Sequence, residues 1–131
     1  MCGIAGIMRT GGEAVPPGQV EAMVATLRHR GPDGDGAYFA PGIGFGHTRL
    51  AIIDLTAASD QPFVDEFANL SLIFNGEIYN YVELRQELKD LGHVFRSAGD
   101  TETVLRAYQE WGTGCLQRLN GMFSFALWDG R

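Results

Sequence analysis

The second residue of the chain is a cysteine, and this position allows a chemistry that an internal cysteine cannot perform. Removal of Met1, which the small side chain at position 2 favours, would make Cys2 the first residue. The thiol and a free α-amine would then belong to one residue, and an amine with a pKa of about 8 can act as a general base. The pattern is that of a nucleophile activated by the terminal amine of its own chain. Taken alone, a cysteine at position 2 is more often incidental.

A second pair of residues has the right types to stabilise a negatively charged oxygen. Asn75-Gly76 follows Leu70 to Phe74, an apolar run that predicts a strand. Thiolate attack on a carboxamide passes through a tetrahedral oxyanion, and losing one donor to that oxygen typically costs about 3–4 kcal/mol. An asparagine side-chain amide and a glycine N–H can both donate to one oxygen. Asn-Gly is equally a strong hairpin-turn signal, so both interpretations stay open on these two residues alone.

The composition is that of an ordinary globular domain, and it argues against several classes of function. The 131 residues are the length of one domain, and 45% of them are hydrophobic. With a net charge of −6 and no basic run, nucleic acid and anionic membranes are not expected partners. No apolar stretch is long enough to span a membrane and no signal peptide is evident, which predicts a cytoplasmic protein. The two cysteines, Cys2 and Cys115, are too few for a disulfide framework or a structural zinc site.

The elements that must position these residues are strands mixed with helices, which predicts the α+β class. Five strands are predicted from apolar and β-branched runs: Gly3 to Met8, Gly36–Ala40, Ile43–Ile53, Leu70 to Phe74 and Met122 to Trp128. Pro41-Gly42 is the predicted hairpin turn, and residues 54–68 are predicted to be irregular. Apolar spacing predicts three helices, over Val20 to Leu27, over Leu84 to Leu91, and over Val104 to Trp111 with Thr101 as N-cap.

Six short segments along the chain combine glycine with polar residues in a distinctive order. They are Cys2-Gly3-Ile4-Ala5-Gly6-Ile7, His29-Arg30-Gly31-Pro32-Asp33-Gly34, Gly46-His47-Thr48-Arg49-Leu50-Ala51-Ile52-Ile53-Asp54, Phe74-Asn75-Gly76-Glu77-Ile78-Tyr79-Asn80, Gly99-Asp100-Thr101-Glu102, and Asn120-Gly121-Met122-Phe123-Ser124-Phe125-Ala126-Leu127-Trp128-Asp129. In this order they resemble the motifs of the class II, or N-terminal nucleophile, glutamine amidotransferases. The third and fourth segments resemble most closely the asparagine synthetase (glutamine-hydrolysing) branch.

The resemblance implies a role for each of these positions. Cys2 would attack L-glutamine to give a γ-glutamyl thioester, with Asn75 and Gly76 as the oxyanion hole. Arg49 would bind the α-carboxylate, because a guanidinium pairs with a carboxylate through two parallel hydrogen bonds. Asp100, with Glu77 beside it, would bind the α-ammonium. The backbone from residue 50 to residue 53 would line the substrate, and that segment comprises Leu50, Ala51, Ile52 and Ile53.

The same resemblance implies a fold and a larger context. The expected architecture is the four-layer αββα sandwich of the N-terminal nucleophile hydrolases, continuing past Arg131, so that residues 1–131 are the N-terminal portion of a glutamine amidotransferase domain. Ammonia would pass to a synthetase domain that uses ATP and Mg²⁺, whereas no cofactor or metal is expected in residues 1–131. An incomplete sheet would leave an unpaired edge, which suggests a homodimer.

Two other interpretations remain open at this point. The chain could be an unprocessed, non-catalytic module that binds glutamine, since retained Met1 would convert the catalytic amine into a peptide bond. It could also be an N-terminal nucleophile acylase for another amide, although Arg49 and Asp100 fit a free amino acid. The three histidines, His29, His47 and His93, share no spacing typical of metal ligands and are expected to be structural.

Overall fold

The computed structural model describes residues 1–131, which form six strands and three α-helices. In chain order these are β1 (Gly3–Met8), α1 (Pro17–Leu27), β2 (Gly34–Ala40), β3 (Ile43–Arg49), β4 (Phe63–Asp65), β5 (Leu70–Ile78), α2 (Tyr81–Asp90), α3 (Asp100–Trp111) and β6 (Gly121–Asp129). Short 3-10 helices occupy Ala57–Ser59 and Gly112–Gln117. None of the three α-helices is long and apolar enough to cross a membrane.

The strands form two antiparallel sheets of three strands each. The first sheet has the order β1-β3-β2, and the second has the order β4-β5-β6. In the first sheet Gly3 pairs with Thr48, so the residue before β1 lies beside the end of β3. The β2–β3 hairpin turns at Pro41-Gly42, as predicted, where Gly42 has a φ of 77° that favours glycine. This register brings the N-terminus of the chain to the segment that follows Arg49.

Helix α1 covers the outer face of the first sheet, and two glycines of β3 allow it to approach closely. A Cβ atom added at Gly46 would lie 2.4 Å from Val24 Cγ2, and one added at Gly44 would lie 2.9 Å from Val20 Cγ2. Both valines are buried. Side chains of this size could not pack against β3 if those two positions carried side chains of their own.

The inner faces of the two sheets pack against each other, and α3 covers the outer face of the second sheet. Ile43 and Phe45 of β3 contact Ile73 of β5 between the sheets. On the opposite face of β5, Leu72 and Phe74 join a buried cluster with Val104 and Leu105 of α3. Alternate residues of β5 thus pack into two different cores, because successive side chains of a strand point to opposite faces of the sheet. The layers are helix, sheet, sheet and helix, which confirms the predicted α+β class and the αββα order.

Two predicted strand boundaries are wrong, and both errors concern residues of the predicted site. Strand β3 ends at Arg49, so residues 50–53 form a loop instead of continuing the strand. Strand β5 does not stop at Asn75-Gly76 but runs through both residues to Ile78. The reason is a tertiary one, since β6 pairs with β5 along its whole length and Ile78 lies opposite Gly121. Pairing with β6 overrides the local turn preference of Asn-Gly.

Smaller corrections apply elsewhere along the chain. Thr101 lies inside α3, and the N-cap is Gly99. Strand β2 begins two residues earlier than predicted, and β4 adds a short strand to the segment predicted as irregular. Leu91 was predicted on the apolar face of α2, but it follows the helix and is exposed.

Candidate active site

Cys2 lies where the first sheet meets the loop after β3. The N–H of Leu50 donates to Cys2 Sγ at 3.4 Å, and Sγ lies 3.7 Å from the carbonyl oxygen of the same residue. Antiparallel pairing of β1 with β3 is what sets these two residues side by side. The thiol is therefore held by backbone groups of Leu50, and no histidine, aspartate or glutamate side chain forms a hydrogen bond with it.

All ten residues predicted for the site line one cavity of about 170 Å³. They are Cys2, Arg49, Leu50, Ala51, Ile52, Ile53, Asn75, Gly76, Glu77 and Asp100. The cavity is formed by the N-terminus, the end of β3 with its following loop, the end of β5 and the start of α3. Ile52 is 60% exposed and forms part of the rim. The geometry brings these residues together, and the chemical role of each one stays a prediction.

The loop between α1 and β2 braces the Cys2 side of the cavity. Arg30 Nε donates to the carbonyl oxygen of Cys2 at 3.0 Å. Asp33 connects this loop to the segment after β3: its carboxylate accepts the N–H of Ala51 at 2.9 Å, and its own N–H donates to the Arg49 carbonyl at 2.9 Å. His29 is exposed and follows α1, and its Nδ1 lies 3.0 Å from the carbonyl oxygen of Thr26 near the end of that helix.

Asn75 and Gly76 face the cavity from the second sheet, near the end of β5. The Asn75 side chain forms no hydrogen bond to another residue, so its amide is available to a ligand. Gly76 is required by packing, because an added Cβ would lie 2.4 Å from the Met122 carbonyl oxygen and 2.6 Å from Phe123 Cα of the adjacent strand. A glycine at this position therefore has a structural cause that holds whatever the chemistry of the cavity.

Asp100 begins α3 and is 6% exposed. One carboxylate oxygen accepts the N–H of Ile78 at 3.0 Å, which joins the helix to the end of β5. Burial raises the pKa of the Asp100 carboxyl above its usual value, backbone N–H donors oppose that shift, and the nearby charge of Glu77 raises it further. An adjacent cation would stabilise the charged form of this carboxylate.

Asp54 is the main residue that sequence reasoning missed. Its Oδ1 accepts the Thr56 N–H at 2.9 Å and the Thr56 hydroxyl at 2.7 Å. Its Oδ2 accepts the Ser59 hydroxyl and the Ala98 N–H, both at 2.8 Å. Together these donors, led by the Ala98 N–H, hold the pKa of the Asp54 carboxyl well below its usual range. The Asp-x-Thr spacing was a detectable signal for the local bonds, whereas nothing in the sequence indicated the bond to Ala98.

Arg49 is the only cation with its side chain against the cavity, and both of its terminal nitrogens are engaged. Nη1 lies 2.6 Å from Asp60 Oδ1, and Nη2 donates to the carbonyl oxygen of Asp54. The Arg49 side chain is 12% exposed, whereas that of Asp60 is 62% exposed. Asp60 therefore approaches the guanidinium from the solvent side.

The position of His47 agrees with the expectation that this histidine is structural. It is fully buried between the sheets, and its Nε2 lies 3.2 Å from the Phe74 carbonyl oxygen, which assigns the proton to Nε2. Burial lowers the pKa of His47 to about 4, so the ring is neutral at physiological pH. No group of three or more His, Cys, Asp or Glu side chains is placed to hold a metal ion.

A family model described as a glutamine amidotransferase domain matches residues 1–131, the whole chain. The chain belongs to this family. Glutamine-hydrolysing asparagine synthetase 3 of Bacillus subtilis is 39% identical over 98% of the chain, and glutamine-hydrolysing asparagine synthetase 1 of Arabidopsis thaliana is 39% identical over all of it. The aligned parts are 21% and 22% of those proteins, so the chain spans about a fifth of their length.

The fold has a counterpart among solved structures of amidotransferases. The structure of glutamine phosphoribosylpyrophosphate amidotransferase from Bacillus subtilis superimposes with a TM-score of 0.79, covering 98% of this chain and 35% of that one. The two sequences are 20% identical, so this match concerns the fold alone. It agrees with the predicted N-terminal nucleophile type of amidotransferase fold, built on two antiparallel sheets.

Proposed function

We propose that this domain hydrolyses L-glutamine to L-glutamate and ammonia through a γ-glutamyl thioester on Cys2. The observation that carries the proposal is the position of Cys2 Sγ, which lies in one cavity with Arg49, Asn75 and Asp100. A nucleophile, an uncommitted amide donor, a cation and a buried carboxylate are what a glutaminase of this kind needs. Membership of the glutamine amidotransferase domain family supports the same reaction.

The first half of the reaction begins once Met1 has been removed. The α-amine of Cys2 takes the thiol proton, directly or through a water molecule, and the thiolate attacks the carboxamide carbon of glutamine. The charge that develops on the carboxamide oxygen is stabilised by N–H donors from Asn75 and Gly76. The protonated amine then gives its proton to the leaving nitrogen. The C–N bond breaks, ammonia leaves, and the γ-glutamyl group remains on sulfur.

The second half returns the enzyme to its starting state. The neutral α-amine removes a proton from a water molecule, and the resulting hydroxide attacks the thioester carbon. The same donors, from Asn75 and Gly76, stabilise the negative charge that develops on the thioester oxygen. Breaking the C–S bond releases glutamate, and the sulfur regains its proton. No histidine takes part, which agrees with the hydrogen bonds at the site: the Cys2 thiol contacts only the backbone of Leu50, and the buried His47 ring bonds the Phe74 carbonyl.

The two charged ends of the amino acid fix its orientation in the cavity. Arg49 binds the α-carboxylate, and Asp100 binds the α-ammonium with Glu77 nearby. The ammonium would also favour the charged form of Asp100, whose pKa is raised in the absence of a cation. The loop that comprises Leu50, Ala51, Ile52 and Ile53 encloses the chain of the substrate between these ends.

The ammonia supplies an ATP-dependent synthetase domain of the asparagine synthetase type, which lies outside residues 1–131. Named relatives that hydrolyse glutamine to make asparagine and are about five times as long support this coupling. ATP and Mg²⁺ belong to that second domain, and the glutaminase step needs neither. The homodimer and the cytoplasmic location stay predictions.

The test combines intact mass with ammonia release. A mass without methionine is expected, together with glutamate and ammonia production that Cys2→Ala reduces by at least about 10³-fold, since the nucleophile is lost. Mass spectrometry under acid quench should find the covalent γ-glutamyl adduct in the wild type only. Equal ammonia release from both proteins would rule out Cys2 as nucleophile.

The same measurements separate the two other candidates. A chain that retains Met1 and binds glutamine without hydrolysing it would be the non-catalytic module. A processed chain that hydrolyses other amides but not glutamine would be an acylase.

A further inference from the structure

Arg49, the cation proposed to bind the substrate carboxylate, already holds a carboxylate of its own protein. Asp60 Oδ1 lies 2.6 Å from Nη1, the distance of a strong charge-assisted hydrogen bond. No other acidic side chain forms an ion pair with Arg49. Asp60 does not line the cavity itself, but its carboxylate engages Nη1, one of the terminal nitrogens of Arg49 that could donate to the α-carboxylate of an amino acid.

We propose that Asp60 sets the affinity for glutamine by competing with the substrate α-carboxylate for Arg49. This inference rests on the proposed function of the cavity. A second carboxylate arriving at a guanidinium that Asp60 has neutralised would meet no net positive charge and a like charge nearby. Glutamine therefore binds at the cost of displacing Asp60, and the apparent affinity is lower than Arg49 alone would provide.

The two other contacts of this pair explain why Asp60 moves and Arg49 does not. Nη2 of Arg49 donates to the carbonyl oxygen of Asp54, a residue fixed by four hydrogen bonds to its own carboxylate. The guanidinium thus stays in place when Asp60 leaves. The Asp60 backbone is held by its N–H bond to the Ala57 carbonyl at 3.1 Å, but its side chain is 62% exposed and can rotate into solvent.

The size of the effect follows from this exposure. Ion pairs with a well-solvated partner contribute little, so releasing Arg49 from Asp60 should improve glutamine affinity by about two- to five-fold. The improvement should appear in KM and in the binding constant, while kcat stays the same, because Asp60 touches none of the reacting atoms. An effect confined to KM is the signature of a change in ground-state binding.

The experiment measures Asp60→Asn and Asp60→Ser beside the wild type, with Glu66→Gln as the matched control. Glu66 is an exposed acid with no side-chain hydrogen bond, so its replacement removes one negative charge away from Arg49. KM and kcat are taken from ammonia release. Dissociation constants are taken by calorimetry on a Cys2→Ala background, which binds without turnover.

Two analogues locate the effect on the carboxylate. Glutaramate keeps the carboxylate and lacks the amine, and it should bind both Asp60 variants about two- to five-fold more tightly than the parent protein. 4-Aminobutanamide lacks the carboxylate and should bind all variants equally. Unchanged or weaker binding of glutamine in Asp60→Asn would overturn the proposal, and so would equal gains for both analogues.

These outcomes are distinguishable from a failure of the proposed function. A wild-type protein that binds glutamine but releases no ammonia would refute hydrolysis, and the calorimetric comparison would still decide the role of Asp60. If no variant binds glutamine or glutaramate, both proposals fail.

Discussion

Two buried carboxylates border the cavity, one in the connection that follows β3 and one at the start of α3, and their surroundings are opposite. Asp54 receives four hydrogen bonds, two on each oxygen, and its pKa is lowered. Asp100 receives the Ile78 N–H on one oxygen, and burial raises its pKa. A carboxylate whose oxygens accept several hydrogen bonds from its own chain stabilises the fold. A buried carboxylate without a positively charged partner is suited to binding a cationic group of a ligand.

The largest effect that this comparison predicts is on substrate affinity. Asp100→Asn should weaken glutamine binding by about 100-fold, because the ammonium loses a charge-assisted hydrogen bond in a buried setting. Calorimetry on the Cys2→Ala background measures it. The exposed Glu77 is the control, since Glu77→Gln should cost less than about ten-fold. A greater loss from Glu77→Gln than from Asp100→Asn would reverse the assignment of the ammonium site.

The second-largest predicted effect is on stability, where replacing Asp54 should matter more than replacing Asp100. Asp54→Asn should lower the free energy of unfolding by about 2 kcal/mol, which corresponds to a fall in Tm of about 8 °C, because an amide cannot accept all four hydrogen bonds. Thermal unfolding followed by circular dichroism measures this change, with Glu66→Gln expected to match the wild type.

Asp100→Asn should not destabilise the fold in the same measurement. A folded-state pKa above the unfolded value means that ionisation of Asp100 opposes folding wherever the carboxylate is charged. Replacing the carboxylate by a neutral amide should leave Tm unchanged or raise it by a few degrees. A fall as large as that of Asp54→Asn would show that the two carboxylates do not differ in the way described.

The smallest predicted effect is a difference between the pH at which glutamine affinity is lost and the pH at which stability is lost. Protonation of Asp100 removes its charge, so KM for glutamine should rise as pH falls through a pKa that lies above the usual 3.8. Asp54, with a lowered pKa, contributes stability that is fully present above about 3.8 and is lost only below it. On acidification KM should therefore rise before Tm falls. Loss of Tm at the same pH as loss of affinity would contradict this order.

Much of the fold was predictable because it depends on local patterns. Strand β1, helix α1 and the β2–β3 hairpin follow from apolar spacing and from Pro41-Gly42, and the structure has all three. The wrong boundaries lie where a distant partner decides. Asn75-Gly76 continues β5 because β6, more than forty residues later, pairs along it. Residues 50–53 leave the strand at the point where the Asp33 carboxylate accepts the N–H of Ala51.

The sequence by itself determined which residues to predict for the site, since Cys2, Arg49, Asn75 and Asp100 were chosen by type and motif and all four line one cavity. Only the tertiary structure decided what surrounds them. No pattern in the sequence indicates that the Ala98 N–H donates to Asp54, which lies 44 positions earlier, or that Asp60 pairs with Arg49. The physical reason is that a hydrogen bond or ion pair between loops depends on how two sheets bring those loops together, and no local spacing encodes that approach.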